Sequence, residues 1–276
     1  VKGTQKIAIV ETGPTCSVEN LLAGLQEIDI KTKDVDHVMV SHVHIDHTGG
    51  AGTLFQHLPN AKLWVHPRGA PHLINPQKLW TQSRQVLGKI VEIYGEIQPV
   101  PADRVFTPPD DMIIDLGGSV QIQVLETLGH ASHHLSYHEK KSQGIFSGDS
   151  AGIYVPQLDV TIPTTPAPFH LELALASLNK LRQLKPQRLY YTHFGPVENA
   201  VQKLEAYEAQ LNLWAKAISK AVKKSDSLET MYTMILEQDP QMRTAANFVK
   251  KHVALRQGVV MRSISGFVEY FQKILA

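Results

Sequence analysis

The chain holds a single cysteine, Cys16, which excludes an internal disulfide framework. No uninterrupted apolar stretch approaches the roughly 20 residues that a bilayer-spanning helix needs. Low-complexity tracts and internal repeats are also missing. Charge of one sign is not in excess: Lys+Arg 27 against Asp+Glu 26 leaves a formal net charge of +1, so the electrostatic footprint of a nucleic-acid or anionic-membrane partner is lacking. No basic, apolar leader precedes Lys6, and the expected compartment is the cytoplasm. Because the first residue is Val1, the native chain is expected to begin further upstream. Against these absences stands an excess of histidine, 14 among 276 residues, several of them in one tight cluster.

Apolar runs at residues 6–10, 35–40 and 62–65, each closed by turn residues, predict buried strands. Between the first two, Val18, Leu21, Leu22, Leu25 and Ile28 fall at helical spacing, and residues 48–58 read as a short helix before the third. This alternation predicts an α/β layered core. Residues 67–97 read as a helical insertion, with Leu79, Val86, Leu87, Ile90, Val91 and Tyr94 along one face. Short strands are expected at 112–114, 120–125, 134–138 and 144–146, followed by a rigid loop at 161–168, a helix at 169–184 and a last strand at 188–191. Past Pro196 the strands are expected to stop, and Val197, Val201, Leu204, Leu211, Trp214, Ile218 and Val222 trace one face of a long helix. The expected division is a metal-binding domain at 1–196 and a helical module at 197–276.

The chemistry-bearing stretch is Ser41-His42-Val43-His44-Ile45-Asp46-His47-Thr48-Gly49-Gly50, directly after the run 35–40. Imidazole and carboxylate are the usual ligands of Zn(II) and Fe(II), and a turn at a strand end can aim alternate side chains at different metal positions. This His-x-His-x-Asp-His pattern resembles the metallo-β-lactamase superfamily of metallo-hydrolases. The remaining landmarks of that family follow in order: a His after a Gly at Gly129-His130, a Gly-Asp step at Gly148-Asp149, and His193 after the last predicted strand. The resemblance implies a four-layer αββα sandwich, here with a helical C-terminal extension. It also implies two divalent metal ions, zinc foremost, with iron or manganese accepted by the same donors. By the same resemblance His42, His44 and His130 hold the first ion, Asp46, His47 and His193 hold the second, and Asp149 bridges them. The family usually has one or two strands ahead of the segment matching 6–10, which agrees with a native start upstream of Val1.

The activity implied is that of a dinuclear metal-dependent hydrolase using a metal-bridging hydroxide on a small ester, thioester or lactone, with Asp46 as the catalytic residue that orients the hydroxide and takes its proton. Tyr154, five residues beyond Asp149, is a candidate substrate-binding residue able to donate to a developing oxyanion. The helical module is similar to the one glyoxalase II enzymes set beside their site. Two alternatives share the motif: a persulfide dioxygenase-like oxidoreductase with one iron on His42, His130 and Asp149, and a nucleic-acid phosphodiesterase, which would add an RNA-gripping arm or inserted domain not evident here. The expected partner is a small-molecule substrate, with neither nucleic acid nor membrane. The apolar helix face at 197–222 must be covered by its own domain or by a second copy in a homodimer.

Overall fold

Short apolar runs make the central strands of the N-terminal region. β1 (Ala8–Val10), β2 (His37–Met39), β3 (Lys62–Trp64) and β4 (Val105–Phe106) form a four-stranded sheet in that order, with every neighbouring pair parallel. Parallel neighbours need crossovers. α1 (Val18–Glu27) supplies the first, and α2 (Ile45–Thr48) with α3 (Ala51–Phe55) the second. Val35, Val38, Val40, Leu54, Leu58, Leu63 and Val65 bury their side chains between sheet and helices. The structure, a computed structural model, describes residues 1–275. It divides into two compact units, the first comprising Val1–Glu126 and His133–Lys141, the second Thr127–Ser132 and the chain from Ser142 onward. The two units interleave in sequence between residues 126 and 142.

The helical insertion of the first unit is three pieces, α4 (Ala70–Ile74), α5 (Gln77–Leu87) and α6 (Ile90–Tyr94). Leu79, Trp80, Leu87, Val91, Tyr94 and Ile97 close around Ile45, one of the two apolar residues in the His-rich stretch, so the insertion packs on that stretch. β5 (Ile113–Asp115), β6 (Gln121–Glu126) and β7 (Leu135–Glu139) form an antiparallel meander, with Ile114 opposite Ile122 and Val124 opposite Tyr137. The Tyr137 hydroxyl donates to the Val40 carbonyl at 2.8 Å and so ties β7 to the end of β2. Burial holds its pKa well above the phenol range.

His37 on β2 is buried and accepts a hydrogen bond from Trp64 Nε1 at 3.0 Å. Burial lowers its pKa to about 4, with Lys6 and Lys62 adding to the effect and Asp36 opposing it. The folded pKa lies below the ordinary value, so the stability contributed is fully present above pH ~6.5 and is lost as pH falls towards about 4. The shift corresponds to at most ~3 kcal/mol. His138 on β7 is lowered in the same direction, again chiefly by burial. Urea unfolding at pH 7 and pH 4.5 should therefore show a steeper acid loss for the wild type than for His37→Gln, which keeps an acceptor for Trp64. Equal losses would place the acid sensitivity elsewhere.

In the second unit β8 (Gly144–Gly148) pairs parallel with β11 (Arg188–Tyr191), which pairs antiparallel with β12 (Gly195–Glu198). β9 (Ile153–Val155) and β10 (Val160–Ile162) form a separate hairpin. α7 (Leu171–Gln183) precedes β11, and α8 (Ala200–Lys223), α9 (Leu228–Gln238), α10 (Pro240–Lys251) and α11 (Val259–Leu275) follow β12. The strands do not stop at Pro196: Pro196 and Val197 lie in β12, and the long helix begins only at Ala200, after Asn199 turns the backbone through φ 59°. Proline is tolerated there because β12 is an edge strand and needs no donor on its outer side. Asp239 caps α10 by accepting from Gln241 N and Met242 N, and its other oxygen accepts from Trp214 Nε1 and Gln210 Nε2 of α8, both at 2.8 Å. One buried carboxylate thereby fixes two of the C-terminal helices to each other. Among the described residues no helix is long and apolar enough to cross a membrane.

Candidate metal centre

The His-rich motif leaves β2 as extended chain and then turns once as α2, with His44 in β conformation at its N-cap. That change of backbone separates two kinds of position. His42 and His44 alternate on extended chain, and the Nε2 of His42 comes within 2.9 Å of Nδ1 of His44. Asp46 and His47 are consecutive on the helical turn, with Asp46 Oδ2 3.9 Å from His47 Nε2. The His47 ring centroid sits 4.0 Å from that of His42, and both rings are fully buried. Thr12 holds the turn by donating its N–H and its hydroxyl to the His47 carbonyl, at 3.1 and 3.0 Å.

Two residues behind the motif orient its rings. Ser41 Oγ lies 2.9 Å from His42 Nδ1 and 3.5 Å from His47 Nδ1. Glu11 Oε1 accepts from the Ser41 N–H at 3.1 Å and stands 3.6 Å from His47 Nδ1. A polar partner on one ring nitrogen leaves the other to serve as ligand. His133 and His134 belong to the same neighbourhood: His134 stacks on His42 at 5.0 Å, and His133 Nδ1 faces the Val43 N–H at 3.4 Å.

In the second unit Asp149, just past β8, is buried and presents one oxygen to each of two imidazoles. Oδ2 lies 3.5 Å from His130 Nε2 and Oδ1 lies 3.5 Å from His193 Nε2. These separations are long for hydrogen bonds, yet they approximate the ~3.3 Å between two donor atoms that each stand about 2.0 to 2.1 Å from one tetrahedral ion. His130 Nδ1 is 2.8 Å from the Thr164 carbonyl, which can only accept, so Nδ1 carries the proton and Nε2 is the nitrogen left with a free lone pair. Thr164 Oγ1 donates to Asp149 Oδ2 at 3.5 Å. The chemistry of both sets is imidazole nitrogen and carboxylate oxygen without thiolate, a set that fits zinc, iron or manganese. Among the described residues the His, Cys, Asp and Glu groupings able to hold an ion draw on His42, His44, Asp46, His47, His130, Asp149 and His193.

Tyr154, the candidate substrate-binding residue, uses its hydroxyl within its own hairpin. It lies on β9, stacks on Tyr191 at 5.3 Å, and donates its only proton to Asp159 Oδ1 at 2.7 Å. Burial and that carboxylate push its pKa up to about 12. The hydroxyl is committed to its own hairpin, where Lys203 Nζ also pairs with Asp159. The ring-orienting roles of Glu11, Ser41 and Thr164 carried no signal in the sequence pattern. Each works through an atom brought close only by the fold.

The family model described as "Metallo-beta-lactamase superfamily" matches residues 1–193. The "Metallo-beta-lactamase fold-containing protein ST1585" of Sulfurisphaera tokodaii is 31% identical over 206 residues, which cover 71% of this chain and 75% of that protein. The crystal structure of ST1585 superposes with a TM-score of 0.65 at 28% identity, covering 75% of this chain and 77% of that one. The "metallo-beta-lactamase family protein TTHA1429" of Thermus thermophilus shares the fold over 100% of this chain and 88% of its own, with a TM-score of 0.71 at 19% identity. The "Atrochrysone carboxyl ACP thioesterase" of Aspergillus fumigatus is 25% identical over 171 residues, 62% of this chain but 42% of that protein.

Proposed function

Because the chain belongs to the metallo-β-lactamase superfamily, we propose that it is a metal-dependent hydrolase of a small ester, thioester or lactone, with His42, His44, Asp46, His47, His130, Asp149 and His193 holding two divalent ions. The observation that carries the two-ion reading is Asp149, whose oxygens each face a different imidazole. When bound, divalent ions supply a water whose pKa is lowered from about 15.7 towards 7 and a Lewis acid that polarises the substrate carbonyl.

The protein groups divide the remaining work. His42 and His47 are buried with their Nδ1 atoms turned to Ser41 Oγ, which fixes the ring orientation before substrate arrives. Asp46 keeps about a third of its side-chain surface in solvent, so one carboxylate oxygen can take a proton from water and pass it out. His193 is a quarter exposed and marks the open side of the second set, whereas His130 is shut in. The net charge of +1 lends no support to a polyanionic substrate, and a thioester is favoured among the candidates by the fungal thioesterase relative.

The test is metal content per chain on protein purified without added metal, with hydrolysis of a thioester, a lactone, an aryl ester and a phosphodiester on the same sample. About two zinc, iron or manganese ions per chain and turnover of a carboxylic ester, thioester or lactone is the expected result. One iron per chain without hydrolysis, but with oxygen uptake on a persulfide, would replace the hydrolase by the dioxygenase reading.

A further inference from the structure

The loop after β10 runs through Pro163, Thr164, Thr165 and Pro166. Two prolines leave it short of backbone donors, so it cannot brace itself and depends on partners from outside. Those partners come from the C-terminal helices. Ser263 of α11 is buried, its Oγ lies 2.8 Å from the Pro163 carbonyl and accepts from Thr165 N–H at 3.2 Å, and its own carbonyl accepts from Thr165 Oγ1 at 2.9 Å. One turn on, Gly266 lets the helix backbone close on the loop: a Cβ there would fall 1.8 Å from the Thr165 carbonyl oxygen. From α8, buried Tyr207 shares a hydrogen bond with the Thr164 backbone. The strand leading into the loop is held too, because Gln210 Nε2 donates to the Thr161 carbonyl at 3.1 Å and Thr161 N–H donates to Gln241 Oε1 at 2.8 Å.

What the loop holds in turn is the metal-facing pair. Thr164 meets His130 Nδ1 through its carbonyl and Asp149 Oδ2 through its hydroxyl, and His130, Asp149, Thr164 and Tyr207 line one small pocket. We infer that the C-terminal helices brace the Thr164 loop as a strut for His130 and Asp149, which makes Ser263 and Tyr207 positioning residues for metal binding. The inference rests on the reading of His130 and Asp149 as ligands. It gives α8 and α11 a role in ion affinity. The brace is long-range in sequence, Ser263 being about a hundred residues from the loop it holds.

The experiment is zinc titration of metal-free protein against a chromogenic chelator, with the visible spectrum of the cobalt-substituted protein as second readout. Ser263→Ala and Tyr207→Phe are expected to weaken zinc binding about 10- to 100-fold and to alter the cobalt bands. Ser265→Ala removes a hydroxyl from the same helix that bonds only the Met261 carbonyl, and it should leave both readouts at wild-type values. Far-UV circular dichroism of the metal-free proteins separates loss of positioning from loss of fold, and if Ser263→Ala unfolds, Tyr207→Phe carries the test. Wild-type affinity and spectra in a folded Tyr207→Phe or Ser263→Ala protein would overturn the strut while leaving the ligand assignment standing. A wild-type protein that binds no zinc or cobalt would overturn both.

Discussion

Asp149→Asn should leave a folded protein with about one ion or none per chain and a kcat/KM lowered about 10³-fold or more. The carboxylate is buried and meets His130 with one oxygen and His193 with the other, each at 3.5 Å. Asparagine keeps the shape and one oxygen, so Thr164 retains its acceptor, but the second position becomes an amide NH2 that cannot ligate a cation. The loss should therefore appear in ion content and turnover and not in circular dichroism. A variant with full ion content and unchanged turnover would remove Asp149 from the ligand set and, with it, the reason for proposing two ions.

The seven candidate ligands were legible because imidazole and carboxylate are chemically conspicuous and because His42, His44, Asp46 and His47 are packed into six positions. Their local geometry was less so. A turn was expected at 41–50, whereas Ile45–Thr48 coils into a helical turn with Ile45 driven under the insertion helices. It is this coil that sets Asp46 and His47 apart from the alternating His42 and His44. The α/β core showed in the apolar runs, but strands of three residues, such as β9 and β10, are too short for a period of two to register. For Tyr154 the distance from Asp149 along the chain says nothing about which way a strand residue faces, and the bond from its hydroxyl to Asp159 in the turn of the hairpin shows only in the fold. The supporting groups were out of reach for a different reason. Glu11 and Ser41 are 30 residues apart in sequence, and Thr165 and Ser263 are 98 apart, so no local pattern links them.

Gly129→Ala should cost about 3 kcal/mol or more of stability and weaken ion binding through the neighbouring His130. Two independent obstacles meet at this glycine. Its φ is +128°, a conformation closed to residues with a side chain, and a Cβ built there falls 2.4 Å from the Ala174 nitrogen and 2.6 Å from the Ala174 Cβ in the first turn of α7. Nor can the segment move away cheaply, because the Gly129 carbonyl accepts from His170 N–H at 3.0 Å and the Leu128 carbonyl accepts from Ser177 Oγ at 2.7 Å. The residue next along is His130, whose ring must hold Nδ1 at the Thr164 carbonyl for Nε2 to face Asp149. A shift of the helix or the loop by even an ångström would break that alignment, so stability and affinity should fall together. The substitution Ser177→Ala provides the comparison: it loosens the same segment by one hydrogen bond, about 1 kcal/mol, without adding a Cβ to the glycine. Urea unfolding and zinc titration of both variants separate the two causes. If Gly129→Ala keeps wild-type zinc affinity while losing stability, the glycine serves chain packing alone; if affinity drops well beyond the effect of Ser177→Ala, the Gly-His step exists because only a residue without a side chain lets the backbone press against α7 and deliver the imidazole.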